Sequence, residues 1–268
     1  MNLHLPRTGL DRYKSASQRA RVGTEAWGAV NFFCPACKSP YLRPAPQGTA
    51  AIDYVCPSCD SPFQLKSQSK PIGGRIVDAA YSEMKRAILE DRTPNLYVLH
   101  YDLTGWLVRT VILIPHFAFA LSAVERRPPL AATARRAGWV GCNIVLDKTP
   151  VRARIPIIQE GKVRPKQAVR EDYERLRPLE RLQVEKRGWT LDVLRVVQSL
   201  GAGRAEATPL QTPLQRTFSL QEVYAHAGAL GKLHPGNRHV REKIRQQLQV
   251  LRDLGLVEFL GSGSYRLA

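Results

Sequence analysis

The chain has 268 residues, enough for one large domain or two medium ones, and a net charge of +17 from 40 Lys and Arg against 23 Asp and Glu. The excess is spread along it, with 28 basic and 16 acidic residues up to Gln183 and 12 and 7 from Val184 onward; this points to nucleic acid, although a solvated basic surface has the same composition. The most apolar run, Val111 to Val124, is too short for a bilayer span, the N-terminus lacks the apolar segment of a signal peptide, and four of the five cysteines are paired by motif, so a cytoplasmic protein without a membrane partner is expected.

Asp11 to Trp27 reads as a helix with Lys14, Arg19 and Arg21 on polar positions. It could lie beside a site and touch a phosphate backbone, or simply be a solvated amphipathic helix. Glu25 on it is a candidate extra metal ligand.

The next stretch organises the rest. CPAC at 34–37 and CPSC at 56–59 place Cys34, Cys37, Cys56 and Cys59 at the spacing of a four-thiolate zinc site. Two disulfides or free thiols would use the same residues, but the doubled CxxC favours Zn²⁺ in a closed, structural site. Ala50 to Val55 and Pro62 to Ser67 read as strands joined by the CPSC tip. Alternation sets Gln64 and Lys66 on one face of the second strand and Phe63 and Leu65 on the other, so Asp53 can face Gln64 and Lys66 across the hairpin. An acid, then an oxygen-bearing residue and a lysine two apart, is the constellation of Mg²⁺-dependent PD-(D/E)xK phosphodiester nucleases, which need hard oxygen ligands and a cation near the phosphate. The pattern also arises by chance on an ordinary exposed strand.

Gly73 to Asp91 reads as a helix, from Ile76, Ala79, Ala80, Met84, Ala87 and Ile88. Asn95 to Tyr101, Trp106 to Ile114 and Arg154 to Gln159 read as strands, giving an α/β core with a mixed sheet. Ala131 to Ile144 is neither a good helix nor a good strand. Its Arg135 and Arg136 could bind phosphates or fork onto a guanine. Trp139, between Gly138 and Gly141, could offer its face to a base or an N-methyl group, or be a buried Trp in a glycine-rich loop. Cys142 is expected to pack as a small apolar residue. Val163 to Gln183 reads as a solvated helix or linker and marks the boundary between domains 1–183 and 184–268. Ala202 to Leu214 reads as a flexible insertion.

In the second part, Thr190 to Leu200 reads as a helix. Ser219 opens another with Glu222 as its capping box, and Gly236 to Leu254 forms a third on Val240, Ile244, Leu248 and Leu251. Gly255 stops it, and the last residues read as a two-strand hairpin. Three helices and a hairpin make a winged helix. Arg238, His239, Lys243 and Gln246, near the start of the third helix, are its candidate DNA contacts; a solvated helix face would show the same charges, but the wing favours DNA.

Three stretches, YKSASQRARVGTEAW at 13–27, RRPPLAATARRAGWVGCNI at 126–144 and REKIRQQLQVLRDLGLVEF at 241–259, resemble the DpnI family of methyl-directed type II restriction endonucleases. The resemblance implies a PD-(D/E)xK nuclease core with an inserted four-cysteine zinc site, followed by a C-terminal winged helix. It implies cleavage of double-stranded DNA carrying N6-methyladenine in GATC. A monomer in solution is expected. By position it makes Asp53, residue 64 and the Leu65 carbonyl Mg²⁺ ligands, Lys66 the catalytic lysine, and Trp139 part of the methyladenine-reading loop. The departure is Gln64, where the family's pattern has Glu: an oxygen donor is kept and a negative charge is lost. The expectation is therefore a nuclease, with a non-cleaving reader of adenine-methylated DNA as the alternative. A zinc-ribbon transcription factor would leave Lys66 and the Trp139 loop without a task.

Overall fold

The computed structural model describes residues 1–46, 48–201 and 217–268. The first helix, α1, spans Ala16–Asn31. It starts later than Asp11 because residues 8–12 are held in turns, and it runs a turn beyond Trp27. Short strands β1 (Arg43–Pro44) and β2 (Tyr54–Val55) lead into β3 (Pro62–Gln68). The predicted strand over Ala50–Val55 is cut to its last two residues by a turn in which Ala51 has φ 57°. The CPSC tip lies between β2 and β3, as expected.

The predicted helix over Gly73–Asp91 is wrong in its first half. Arg75–Ala80 is strand β4, and only Tyr81–Leu89 is helix, α2. The burial of β4 alternates, with Ile76 and Asp78 inside and Val77 outside. Period two signals a strand, but the inward position at 78 is acidic, so no apolar alternation marks it in the sequence.

Strands β5 (Asn95–Asp102) and β6 (Leu107–Ile114) match expectation. The first five residues of β5 are all buried, the pattern of a central strand covered on both faces. Next come β7 (Val124–Arg126), β8 (Gly141–Val145), β9 (Ile155–Gln159) and β10 (Lys162–Val163). A seven-stranded mixed sheet runs β1-β2-β3-β5-β6-β9-β10, and β3 and β5 are its parallel pair. A parallel pair needs a crossover, which β4 and α2 supply. β4 pairs with β8, and β8 with β7, in a second, three-stranded sheet.

Of the two readings of residues 163–183, the helix holds, but it is docked rather than solvated. Lys166–Leu176 is helix α3, followed by a 3₁₀ turn over Arg177–Arg181. Val169, Tyr173, Leu176 and Leu179 are fully buried, and Tyr173 Oη donates to Asn95 Oδ1 at 3.1 Å. A single apolar stripe hidden among many charges suffices for a docked helix.

Helix α4 spans Val184–Gly201, and the insertion expected at Ala202–Leu214 lies outside the described residues. Then follow β11 (Thr217–Ser219), α5 (Leu220–Tyr224), α6 (Ala227–Leu233), α7 (Val240–Asp253), β12 (Val257–Gly261) and β13 (Ser264–Leu267). The capping box at Ser219 is present: Ser219 Oγ accepts from Glu222 N–H at 3.2 Å, and Glu222 Oε2 accepts from Ser219 N–H at 2.7 Å. α7 buries Ile244, Leu248 and Leu251 as read, whereas the second helix is broken into α5 and α6. The hairpin gains a third strand, in order β11-β13-β12.

α4 faces both halves. Asp192, 1% exposed, accepts from Ser122 Oγ at 2.7 Å on one side and contacts His234 Nε2 at 2.8 Å on the other. Arg187, 2% exposed, pairs with Asp91. No helix among the described residues is long and apolar enough to cross a membrane.

Candidate functional site

The four cysteine sulfurs of the knuckle lie within 4.8 Å of one another. Cys34 and Cys59 stand 3.6 Å apart and Cys37 and Cys56 3.5 Å, and none is in a disulfide. A tetrahedron with Zn–S of about 2.3 Å needs sulfurs about 3.8 Å apart, so the cluster is compatible with structural zinc. Burial pushes the Cys34 and Cys37 thiols up, while backbone N–H groups reach two of the four sulfurs. Ser39 N–H donates to Cys37 Sγ and Ser58 N–H to Cys56 Sγ, each at 3.4 Å. Burial alone would raise Cys56, but the N–H groups of Ser58 and Cys59 and the neighbouring thiols bring it down to about 7. α3 clamps the knuckle: Arg170 donates to the Cys34 carbonyl at 3.2 Å and the Ser39 carbonyl at 2.9 Å, and its guanidinium lies over the Phe33 ring. This helix therefore secures the cysteine knuckle.

The knuckle holds the tip of the β2–β3 hairpin. Tyr54 pairs with Phe63, and Asp53 N–H donates to the Phe63 carbonyl at 2.8 Å, which sets Asp53 opposite Gln64. Asp53 Oδ2 accepts the Leu65 N–H at 2.7 Å, fixing the carboxylate over the hairpin. Gln64 is 9% exposed. Burial raises the Asp53 pKa, the Leu65 N–H opposes this, the charge of Glu25 adds to it, and Lys66 and Arg21 reduce it. Asp53, Gln64 and Lys66 thus share one corner of the sheet.

α1 closes that corner from the side. Tyr54 Oη donates to the Glu25 carbonyl at 2.7 Å, and Thr24 Oγ1 to Ser67 Oγ at 3.0 Å. The approach needs Gly28, where a Cβ would stand 2.4 Å from Tyr54 Oη. Glu25 lies close enough to Asp53 for its charge to raise the Asp53 pKa. Its carboxylate pairs with Arg21 at 2.7 Å, and among the described residues the four cysteines are the one group of three or more Cys, His, Asp or Glu close enough to share an ion. Arg19 Nη1 donates to the Tyr13 and Lys14 carbonyls at 3.0 and 3.3 Å.

Sequence reasoning missed Asp78. Its side chain is 3% exposed and its Oδ1 lies 2.6 Å from Lys66 Nζ. Only the β4 pairing brings it there, so no local motif could have found it.

The loop between β7 and β8 carries Arg135, Arg136 and Trp139. Backbone bonds close its base: Arg127 N–H to the Gly141 carbonyl, Leu130 N–H to the Trp139 carbonyl and Gly138 N–H to the Leu130 carbonyl, all 2.9–3.0 Å. Gly138 takes φ 76°, a turn conformation costly for other residues. Trp139 is not a core residue. It is half-buried, its ring lies on Gly141, and the Arg136 guanidinium sits 5.0 Å above it, while Arg135 and Arg136 are exposed.

In the C-terminal part, Arg238, His239 and Lys243 border one cleft with Glu185, Trp189 and His234. His234 stacks on Trp189, centroids 3.8 Å apart. Gln246 belongs to a separate groove with Tyr224, Arg241 and Arg245, so the four candidate contacts do not share one pocket. Arg241 and Arg245 were overlooked, although their i, i+4 spacing puts them on one face of α7.

A family model described as DpnI, the Dam-replacing family, matches residues 1–182, and one described as the Dam-replacing HTH domain matches residues 185–267. The chain belongs to the DpnI family, whose business is methyl-directed cleavage or recognition of DNA, and its C-terminal part is a helix-turn-helix domain.

Proposed function

Taking that membership as premise, we propose that the chain is a Mg²⁺-dependent endonuclease that cleaves double-stranded DNA at N6-methyladenine, in GATC. The observation that carries the reading is the placement of Asp53, Gln64 and Lys66 on one hairpin whose tip is held by the four-cysteine cluster. The Asp53 carboxylate, the Gln64 amide oxygen and the Leu65 carbonyl are hard donors of the type Mg²⁺ takes. The burial that raises Asp53 is a penalty that a bound cation would offset. When bound there, Mg²⁺ would supply Lewis-acid stabilisation of charge on the scissile phosphate. Lys66 donates hydrogen bonds to the attacking water or a phosphate oxygen and opposes the developing negative charge. Asp53 is kept in orientation by the Leu65 N–H.

In this reading residues 1–183 form the nuclease and 184–268 the winged helix. Trp139 reads the methyl group, Arg135 and Arg136 hold the backbone or a guanine, and Arg238, His239, Lys243 and Gln246 make the second DNA contact. The protein acts as a cytoplasmic monomer. One observation favours a second reading: Gln64 leaves the site a single ligand carboxylate, which suits a reader that binds adenine-methylated DNA without cutting. Incubating the full chain with adenine-methylated and unmethylated plasmid in Mg²⁺ separates the two, since only the nuclease cuts the methylated plasmid into fragments.

A further inference from the structure

We propose that Asp78 is a positioning residue for Lys66: its buried carboxylate, set at a β-bulge, fixes where the lysine ammonium stands against the phosphate. The proposal rests on the nuclease reading above. Lysine carries its charge on a flexible four-carbon stem, and in this corner something must choose one of its rotamers. The Asp78 side chain is 3% exposed, against 26% for Lys66, so one end of the pair is anchored and the other reaches the surface. Asp78 Oδ1 lies 2.6 Å from Lys66 Nζ, yet it makes no aligned hydrogen bond. The ammonium is therefore its main compensation, and a buried carboxylate without one is costly.

The backbone around Asp78 is shaped for this contact. Asp78 pairs with Cys142 and Ala80 with Gly141, leaving Ala79 as the extra residue of a bulge. Bulges end the regular ladder and re-aim side chains. Here the strand ends two residues after Asp78 and the chain turns into α2. The Cys142 thiol donates to the Ala79 carbonyl at 3.4 Å, tying down the extra residue. Cys142 adjoins Gly141, on which Trp139 rests, so the strand that braces the Asp78 bulge also carries the base-reading loop.

Asp78→Asn keeps the shape and removes the charge. With the full chain, single-turnover cleavage of a methylated GATC duplex in Mg²⁺ should fall roughly tenfold to a hundredfold, the usual cost of a misplaced catalytic group. The Kd for the same duplex, measured with Ca²⁺ in place of Mg²⁺, should be unchanged. A thermal cycle checks the pair without activity: Lys66→Met should lower the melting temperature, and Lys66→Met with Asp78→Asn should regain most of the loss. Failure to regain it overturns the proposal. So does an Asp78→Asn protein that melts lower but cuts at the wild-type rate, which would make the pair merely structural. If Asp78→Asn does not fold, Cys142→Ala carries the test: a slower cut at unchanged Kd supports the proposal, and an unchanged rate overturns it. A wild-type chain that cuts nothing brings down the nuclease reading and this proposal with it, whereas a cutting wild type with equally active variants brings down this proposal alone.

Discussion

Gly141→Ala is the mildest perturbation that tests whether Trp139 reads the methyl group. Gly141 lies in β8, where alanine is tolerated by the backbone. Its new Cβ would stand 2.7 Å from Cζ3 and 2.8 Å from Cη2 of the Trp139 ring, and ordinary contact begins near 3.4 Å. The ring must therefore retreat by about 0.7 Å, taking with it the Arg136 guanidinium stacked above. Because Trp139 is half-buried and on a loop, the ring can yield at a stability cost of about 1 kcal/mol or less. A methyl-sized apolar contact is worth about 0.8 kcal/mol. That is roughly fourfold per adenine, or roughly fifteenfold when the adenines of both strands are read. The assay is the ratio of cleavage rates on methylated and unmethylated duplexes, and the variant should lose about that factor. A ratio identical to wild type would refute the reasoning, as would equal slowing on both substrates. A lost cooperative melt would instead make Trp139 a packing residue.

Cys56→Ser, or removal of zinc by a chelator, should unfold the hairpin tip and abolish cutting, because the knuckle staples the strands bearing Asp53 and Lys66; a folded, active, zinc-free protein would contradict this. Gln64→Glu should lower the Mg²⁺ concentration for half-maximal cleavage by roughly tenfold, since a second carboxylate strengthens the site; slower cutting with a higher Mg²⁺ demand would show that position 64 is misjudged. Arg238→Ala and Lys243→Ala should each weaken duplex binding by about 1–3 kcal/mol with relaxed specificity if they touch bases. A uniform loss with a shallower salt dependence would assign them to phosphates, and no loss in either would take this end of α7 out of the interface.

What the sequence reveals here depends on how local each signal is. The cysteine spacing, the Ser219–Glu222 capping box and the Ile244–Leu248–Leu251 stripe are set by residues within a few positions of one another, and all three appear in the fold. β4 is hidden because its inward residue is Asp78, whose partner Lys66 arrives from another sheet. β8 reads Gly-Cys-Asn-Ile-Val, a weak strand in isolation that forms because β4 and β7 flank it. α3 is legible as a helix but looks solvated, because its buried stripe is outnumbered by charges; Arg170 on it and Arg164 just before it are spent on the carbonyls of the cysteine knuckle and on Asp172. Asp53 and Lys66 are legible as a motif, whereas the group that holds Lys66 in place is visible only in three dimensions.

The most direct measurement is cleavage of one plasmid, adenine-methylated or not, by the wild-type chain and by Asp53→Asn in Mg²⁺. The account predicts discrete fragments ending at GATC from the methylated plasmid with the wild type, none from the unmethylated one, and none from either with Asp53→Asn. Intact methylated plasmid bound tightly by the wild type would contradict cleavage and leave a reader of methylated DNA.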